Sequence, residues 1–271
     1  MEAVYYFLLF IIYSHAGWLY ESILCTIEEK SFVNRGFLNG PLCPIYGSGA
    51  VLVIITLGNI KNPLKVFILG ILLTGVLEYL TSYIMEKLFH AKWWDYSERR
   101  FNIKGRVCLL GAFVFGLMTL LAVYILNPFI SSIIRKVDYK ILIGISILIA
   151  ISITIDLIIT VCNLINLNGR LAKLQDEINR YIENTKAKGS VLIEESRHMK
   201  EHILEESKLK REKIKGSFTE LFEESEFYSE KFKNILKVKT FQDMRIIKAF
   251  PKLKSTKYYD AFEKFKDNIK K

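Results

Sequence analysis

Apolar residues fall along this chain in long blocks separated by short polar breaks, until the blocks stop. A membrane-spanning helix needs about 20 mostly apolar residues. Five stretches qualify, at residues 4–27, 45–60, 64–88, 107–126 and 141–163. The second is short unless the loop before it adds depth, so it either spans or re-enters. Asn127-Pro128 is expected to end or kink the fourth, because Pro removes a helix hydrogen bond and clashes with the preceding turn.

Past residue 163 the pattern changes. Leu164, Leu167, Leu171, Leu174, Ile178 and Tyr181 recur at alternating intervals of three and four, which is an a/d seam. It breaks at residues 186–190, KAKGS. Such a short coiled-coil seam suits a second copy of the chain, giving a homo-oligomer, or a second tail helix of the same chain. The Gly-Ser break favours the hairpin. From residue 236 onward Phe250, Tyr258, Tyr259, Phe262 and Phe265 interleave with lysines. The expected architecture is therefore all-α: a polytopic membrane protein of about five transmembrane helices (1–163) with a cytoplasmic helical tail. That tail divides into a charged helical segment, 164–235, and a basic amphipathic end, 236–271.

Charge sharpens this division. The chain has 271 residues and a net charge of +10, yet is 51% hydrophobic. Residues 1–163 hold 13 Lys/Arg and 10 Asp/Glu, and the remainder hold 25 and 18. Lys and Arg in the short loops favour one face by eight to five, which places the N-terminus outside and the first loop, third loop and tail in the cytoplasm of a cell-membrane protein. The basic aromatic end suits anionic lipid headgroups, where each cation contributes roughly 1 kcal/mol. No nucleic-acid-binding motif accompanies it, so nucleic acid is not the expected partner. Met1-Glu2 has no basic character, so a cleavable signal peptide is not expected.

The polar residues inside the apolar blocks are the candidates for function. Ionisable groups in a bilayer cost several kcal/mol unless paired or hydrated. Glu21, Glu78 and Asp156 lie six, ten and seven residues from the inner ends of their segments, roughly 9–15 Å deep. Thr74, Glu78 and Ser82 form one i, i+4 stripe, and Ser152, Asp156 and Thr160 another; both should face the bundle interior. These groups form either a substrate pathway or a polar core in which Glu21 and Glu78 neutralise Arg35 and Arg106. The loop at 32–49, FVNRGFLNGPLCPIYGSG, is too rich in breakers for a helix and too apolar for a free linker. A buried or re-entrant turn fits it, with Asn34, Arg35 and Asn39 as polar handles. The third loop pairs Trp93-Trp94-Asp95-Tyr96 with Asn102 and Arg106. It reads as an interfacial belt, or as half of a surface shared with Asn34-Arg35-Gly36.

Other chemistries lack their signatures. There is no P-loop, no HExxH and no GxSxG, so no catalytic residue is assigned and no enzyme is expected. His15 stands alone and the four cysteines have no ligand spacing, so neither metal nor cofactor is expected.

Taken together, HAGWLYE at 15–21, FVNRGFLNGPLCPIYG at 32–47, LEYLTS at 77–82, WWDYS at 93–97 and FNIKGRVCL at 101–109 resemble the type IV ABC-transporter permease family of bacterial multi-pass membrane proteins. The resemblance covers about residues 5–160 and not the charged tail. It implies a permease subunit served by a separate ATP-binding subunit. The positions matching the family motifs include Glu21, Asn34, Arg35, Gly36, Gly40, Pro41, Pro44, Tyr46, Gly47, Glu78, Trp94, Asp95, Asn102, Gly105 and Arg106. No catalytic role follows for any of them.

Overall fold

A computed structural model describes residues 2–201, 230 and 241–270. Much of the charged segment and the start of the basic end, at 202–229 and 231–240, lie outside the described residues. The second tail helix expected beyond 190 falls largely there. The chain forms two compact units, Met1–Ile165 with Phe241–Lys257, and Asn166–Thr240 with Tyr258–Lys271.

The first unit is a helical bundle built from apolar blocks. Its helices are α1 (Glu2–Glu29), α2 (Pro44–Leu57), α3 (Pro63–Phe89), α4 (Leu109–Leu121) and α5 (Asn127–Ile134), followed by the start of α6 (Tyr139–Glu201). Four helical runs are long and apolar enough to cross a membrane: Glu2–Glu29, Pro63–Phe89, Leu109–Ile134 and Tyr139–Ala187. Their outer faces carry bare Leu and Ile, such as Leu72, Leu148 and Ile158, as lipid contact requires. The chain is an all-α polytopic membrane protein.

Small residues let the helices meet closely. A Cβ on Gly17 would stand 2.2 Å from the Tyr46 ring, and one on Gly47 would stand 2.2 Å from Ser14 Oγ and 2.3 Å from the Phe10 carbonyl, so α1 and α2 touch backbone to side chain. Gly70 against Thr119 and Gly116 against Phe67 do the same for α3 and α4. Leu9, Tyr13, Ile54 and Ala122 form one buried cluster, and Val53, Leu57, Val66 and Val123 another.

α2 has 14 residues, about 21 Å of helix, against a hydrocarbon core of about 30 Å. The loop before it accounts for the missing depth. After Glu29 the chain turns at Lys30 and climbs back along α1, one helical turn at a time. Val33 N donates to Thr26 Oγ1, Arg35 N to Ser22 Oγ, Trp18 Nε1 to Asn34 Oδ1, and Cys43 N to the Ser14 carbonyl. From Glu29 back to Ser14 is about 22 Å, so α2 starts deep within the bundle. The Thr26 and Ser22 hydroxyls and the Ser14 carbonyl of α1 accept from loop amides that lipid could not satisfy.

Two sequence expectations need correction. Asn127-Pro128 does not end the fourth helix. Residues Ala122–Leu126 widen into a π turn, with the Asn127 amide donating five residues back to the Ala122 carbonyl, and α5 continues to Ile134. The wider turn leaves room for the Pro128 ring and absorbs its missing N–H, as π turns do at such sites. α6 then runs from Tyr139 to Glu201. Nor does the helix stop at 186–190: one Gly costs a helix only about 1 kcal/mol, and the flanking Lys, Ala and Leu are strong formers.

In the second unit the seam residues Leu167, Leu171, Leu174 and Ile178 are buried. Gln175 Oε1 accepts from the Ala261 amide, and the Arg170 guanidinium lies 6.0 Å from the Phe265 ring centroid, on helix α8 (Tyr259–Lys270). Ala261, Phe262 and Phe265 are buried too. The alternation of aromatic and cationic residues at this end thus reflects an amphipathic helix with its apolar face covered.

Candidate functional site: a carboxylate cavity reached by two loops

Loop 32–43 is held by two charged side chains from distant elements. Asp156, inside α6, accepts from the amides of Asn39 (3.0 Å) and Gly40 (2.8 Å) and from Asn39 Nδ2 (2.6 Å). Arg245, on α7 (Phe241–Ala249), donates to the carbonyls of Gly36 (2.9 Å), Phe37 (2.9 Å) and Leu38 (2.8 Å). Across five consecutive residues, three carbonyls therefore lie on a cation and the next two amides on an anion. Burial lowers the Arg245 pKa and the nearby Asp156 carboxylate works against that fall; a guanidinium stays charged regardless.

The third loop folds as a small β structure. β2 (Asn102–Ile103) pairs antiparallel with β3 (Val107–Cys108), and β1 (Ala91–Lys92) pairs with β4 (Lys254–Ser255). Its turn needs Gly105, at φ +69°, because a Cβ there would stand 2.6 Å from Asp95 Oδ1. Asn102 braces the turn, accepting from the Gly105 amide and donating to the Arg99 carbonyl. Trp94 Nε1 donates to the Arg106 carbonyl. Burial acts to raise the Asp95 pKa, but hydrogen bonds from Ser97 and the charges of Lys254 and Lys92 outweigh it and hold the carboxyl below its ordinary range.

An aromatic cluster joins the two loops. Trp93, 2% exposed, stands edge-on to Phe250 at 4.8 Å and to Phe37 at 5.3 Å. Arg35 lies over the Phe250 ring at 4.4 Å and donates to the Ala249 carbonyl. The surface expected to join Asn34-Arg35-Gly36 with the tryptophan loop is brought together here, and residues 241–257 of the same chain cover it. The third loop leaves its turn bare: Arg99, Arg100, Phe101, Ile103 and Lys104 are exposed.

Between α1, α2, α3 and α4 lies a cavity of about 200 Å³. Its wall is mainly apolar and aromatic, with Tyr13, Tyr20, Tyr46 and Phe115 prominent, and the π turn contributes Ala122 and Leu126. One carboxylate residue, Glu78, stands in the wall. Glu78, 5% exposed, takes a hydrogen bond from the Tyr96 hydroxyl, while its Oε2 is buried without a partner among the described residues. Burial pushes the Tyr96 phenol far above its usual range, and the neighbouring Glu78 adds to the shift. Tyr46 spans two environments: its ring lines the cavity while its hydroxyl donates to Glu21 Oε1 at 2.6 Å, and Glu21 pairs with Arg35 at 3.5 Å. Loop 32–43 thus connects to the cavity wall through Arg35, Glu21 and Tyr46, and the third loop through Tyr96 and Glu78.

The polar residues marked out by sequence do not form one pathway. Glu78 lines the cavity and Glu21 touches it through Tyr46, but Asp156 serves loop 32–43. Ser82, buried, accepts from Arg106 Nη1 at 3.4 Å. Arg35 does pair with Glu21, whereas the expected Glu78–Arg106 pair is absent among the described contacts, because Arg106 turns to Glu86 at 2.7 Å. Pro44 opens α2 at its first turn, and the Pro41 carbonyl meets the His15 ring at 3.0 Å. Arg245 and the cavity's aromatic wall escaped the sequence reading. One signal for the former existed: Arg245 is the sole Arg among the eleven cations of 236–271.

Residues 8–161, more than half of the chain, match the family described as Putative ABC-transporter type IV. The chain belongs to this family. The matched stretch contains both loops, Asp156 and every residue of the cavity wall, and excludes α7. Membership gives the protein a transporter-related role in a membrane. No curated protein and no solved structure matches the chain.

Proposed function

We propose that this family member is the membrane-embedded permease subunit of an ABC-type transporter, working with a separate ATP-hydrolysing subunit. The observation that carries the reading is the cavity: in a member of a transport family, a space of about 200 Å³ among four helices with one carboxyl, Glu78, in its wall. Pockets of this kind, apolar with one placed polar group, are what small-molecule sites look like. Lys and Arg bias puts the two motif loops at the cytoplasmic face of the cell membrane. The exposed turn at 98–104, with Arg99, Arg100 and Lys104 around Phe101 and Ile103, is then where the ATPase docks. No catalytic chemistry is assigned to the chain itself.

Recruitment of proteins or lipids by the basic end is the second reading. Ile246, Ile247, Phe250, Leu253, Phe262 and Phe265 are all buried, which removes the apolar contacts that an anionic membrane surface would need from them.

Purification from native membranes tests the first reading. An ATPase should co-purify, reconstitution should give ATP-dependent solute flux, and the R99E/R100E variant should lose most of the associated ATPase while remaining inserted. Recovery of no ATPase together with no flux would overturn it.

A further inference from the structure

We propose that the cavity binds a small organic ammonium ion, an apolar body of about one aromatic ring with a single protonated amine. This names a substrate class and rests on the permease reading above, although the binding itself does not need it.

Size comes first. An apolar cavity of about 150 Å³ accepts benzene, so one of about 200 Å³ accepts a ring with a short arm. The walls fit such a body. Tyr46 lies edge-on to Tyr20 at 6.3 Å and against Phe115 at 5.8 Å, and Leu77 and Met118 complete an apolar lining. Aromatic faces of this kind also attract cations, more strongly where water is excluded.

Charge decides the class. Glu78 stands in the cavity wall, and its Oε2 is buried with no partner among the described residues. The nearby guanidinium groups are already committed, Arg106 to Glu86 at 2.7 Å and Arg35 to Glu21 at 3.5 Å. Tyr96 supplies one hydrogen bond to Glu78 and no charge. A buried carboxylate with no partner is unfavourable and takes up a proton unless a cation answers it; an ammonium donor does so by charge-assisted hydrogen bonding. An anionic ligand would meet Glu78 and, one side chain further, Glu21 behind Tyr46. A neutral ligand fills the space but leaves the carboxylate unanswered.

The test uses the full-length protein in nanodiscs of neutral lipid, with tritiated 2-phenylethylammonium as probe. Saturable binding at one site per chain is expected. The neutral isostere 2-phenylethanol and the anion phenylacetate should each compete at least about tenfold more weakly. Glu78→Gln should erase the preference for the cation while 2-phenylethanol binding stays within about twofold. Absence of saturable binding, or equal competition by alcohol and amine, overturns the proposal. The competition order in the wild type decides the matter even if Glu78→Gln fails to fold. Ammonium binding without a recoverable ATPase would keep the ligand class and remove the permease role. An ATPase partner without ammonium binding would do the reverse.

Discussion

Asp156 and Arg245 divide the work of holding residues 36–40, and their substitutions should differ from ordinary surface changes. Hydrogen bonds to charged groups contribute about 1.5–3 kcal/mol each, without simple additivity. Arg245→Ala leaves three carbonyls without their donor and should cost about 3 kcal/mol, with amide exchange across 32–43 rising at least tenfold. Arg245→Lys keeps the charge but not the planar fork that reaches three acceptors, so it should recover less than half of the loss. Denaturation in mixed micelles and exchange mass spectrometry read both. Asp95 gives a pH test. Its carboxyl is held below its ordinary range in the folded protein, so its stabilising effect is present above the unfolded value near pH 4 and fades as pH falls through the folded value. Acidification below about pH 4 should loosen the Lys254–Asp95 contact, 3.5 Å in the structure. Asp95→Asn should make exchange at residues 91–97 and 254–255 insensitive to pH over that range, once intrinsic exchange is corrected for.

At the level of helices, close approach and open space make opposite predictions for the same substitution. Gly47→Ala places a methyl 2.2 Å from Ser14 Oγ and 2.3 Å from a backbone oxygen of α1, and overpacking of this kind costs about 1–3 kcal/mol or more. Nothing lies within 4 Å of a Cβ on Gly144, so Gly144→Ala should gain up to about 1 kcal/mol from helix propensity alone. Thermal unfolding of the two variants should move in opposite directions. The helices were legible from sequence because bilayer thickness converts apolar run length into span directly. The π turn before Pro128 and the unbroken α6 were not. Pro and Gly carry local preferences, and a bundle that packs both sides of such a residue overrides them. The α1 stripe of Thr26, Ser22, Trp18 and Ser14 was also hidden, because its hydrogen-bond partners lie 7 to 29 residues away.

Across the first unit, residues 241–257 act on both motif loops at once, and sequence could not show this. The family motifs lie within 8–161, and nothing in a lysine-rich end names three carbonyls more than 200 residues upstream. Phe250 is the common point: its ring is 4.8 Å from Trp93 in one loop and 4.4 Å from Arg35 in the other. Arg35 leads through Glu21 and Tyr46 to the cavity wall, and the loop of Trp93 leads through Tyr96 to Glu78. Phe250→Ala removes both ring contacts and should cost about 3–5 kcal/mol, the range for a buried Phe. If the segment braces the loops jointly, Trp93 emission should shift to the red and amide exchange should rise together at 32–43 and 91–97. Exchange in the α3–α4 contact around Gly70 and Thr119 should not change, because among the described residues the close contact at Gly70 is Thr119 itself. A rise confined to one loop would mean that the two are held independently, and any path from this segment to the cavity would then run through that loop alone.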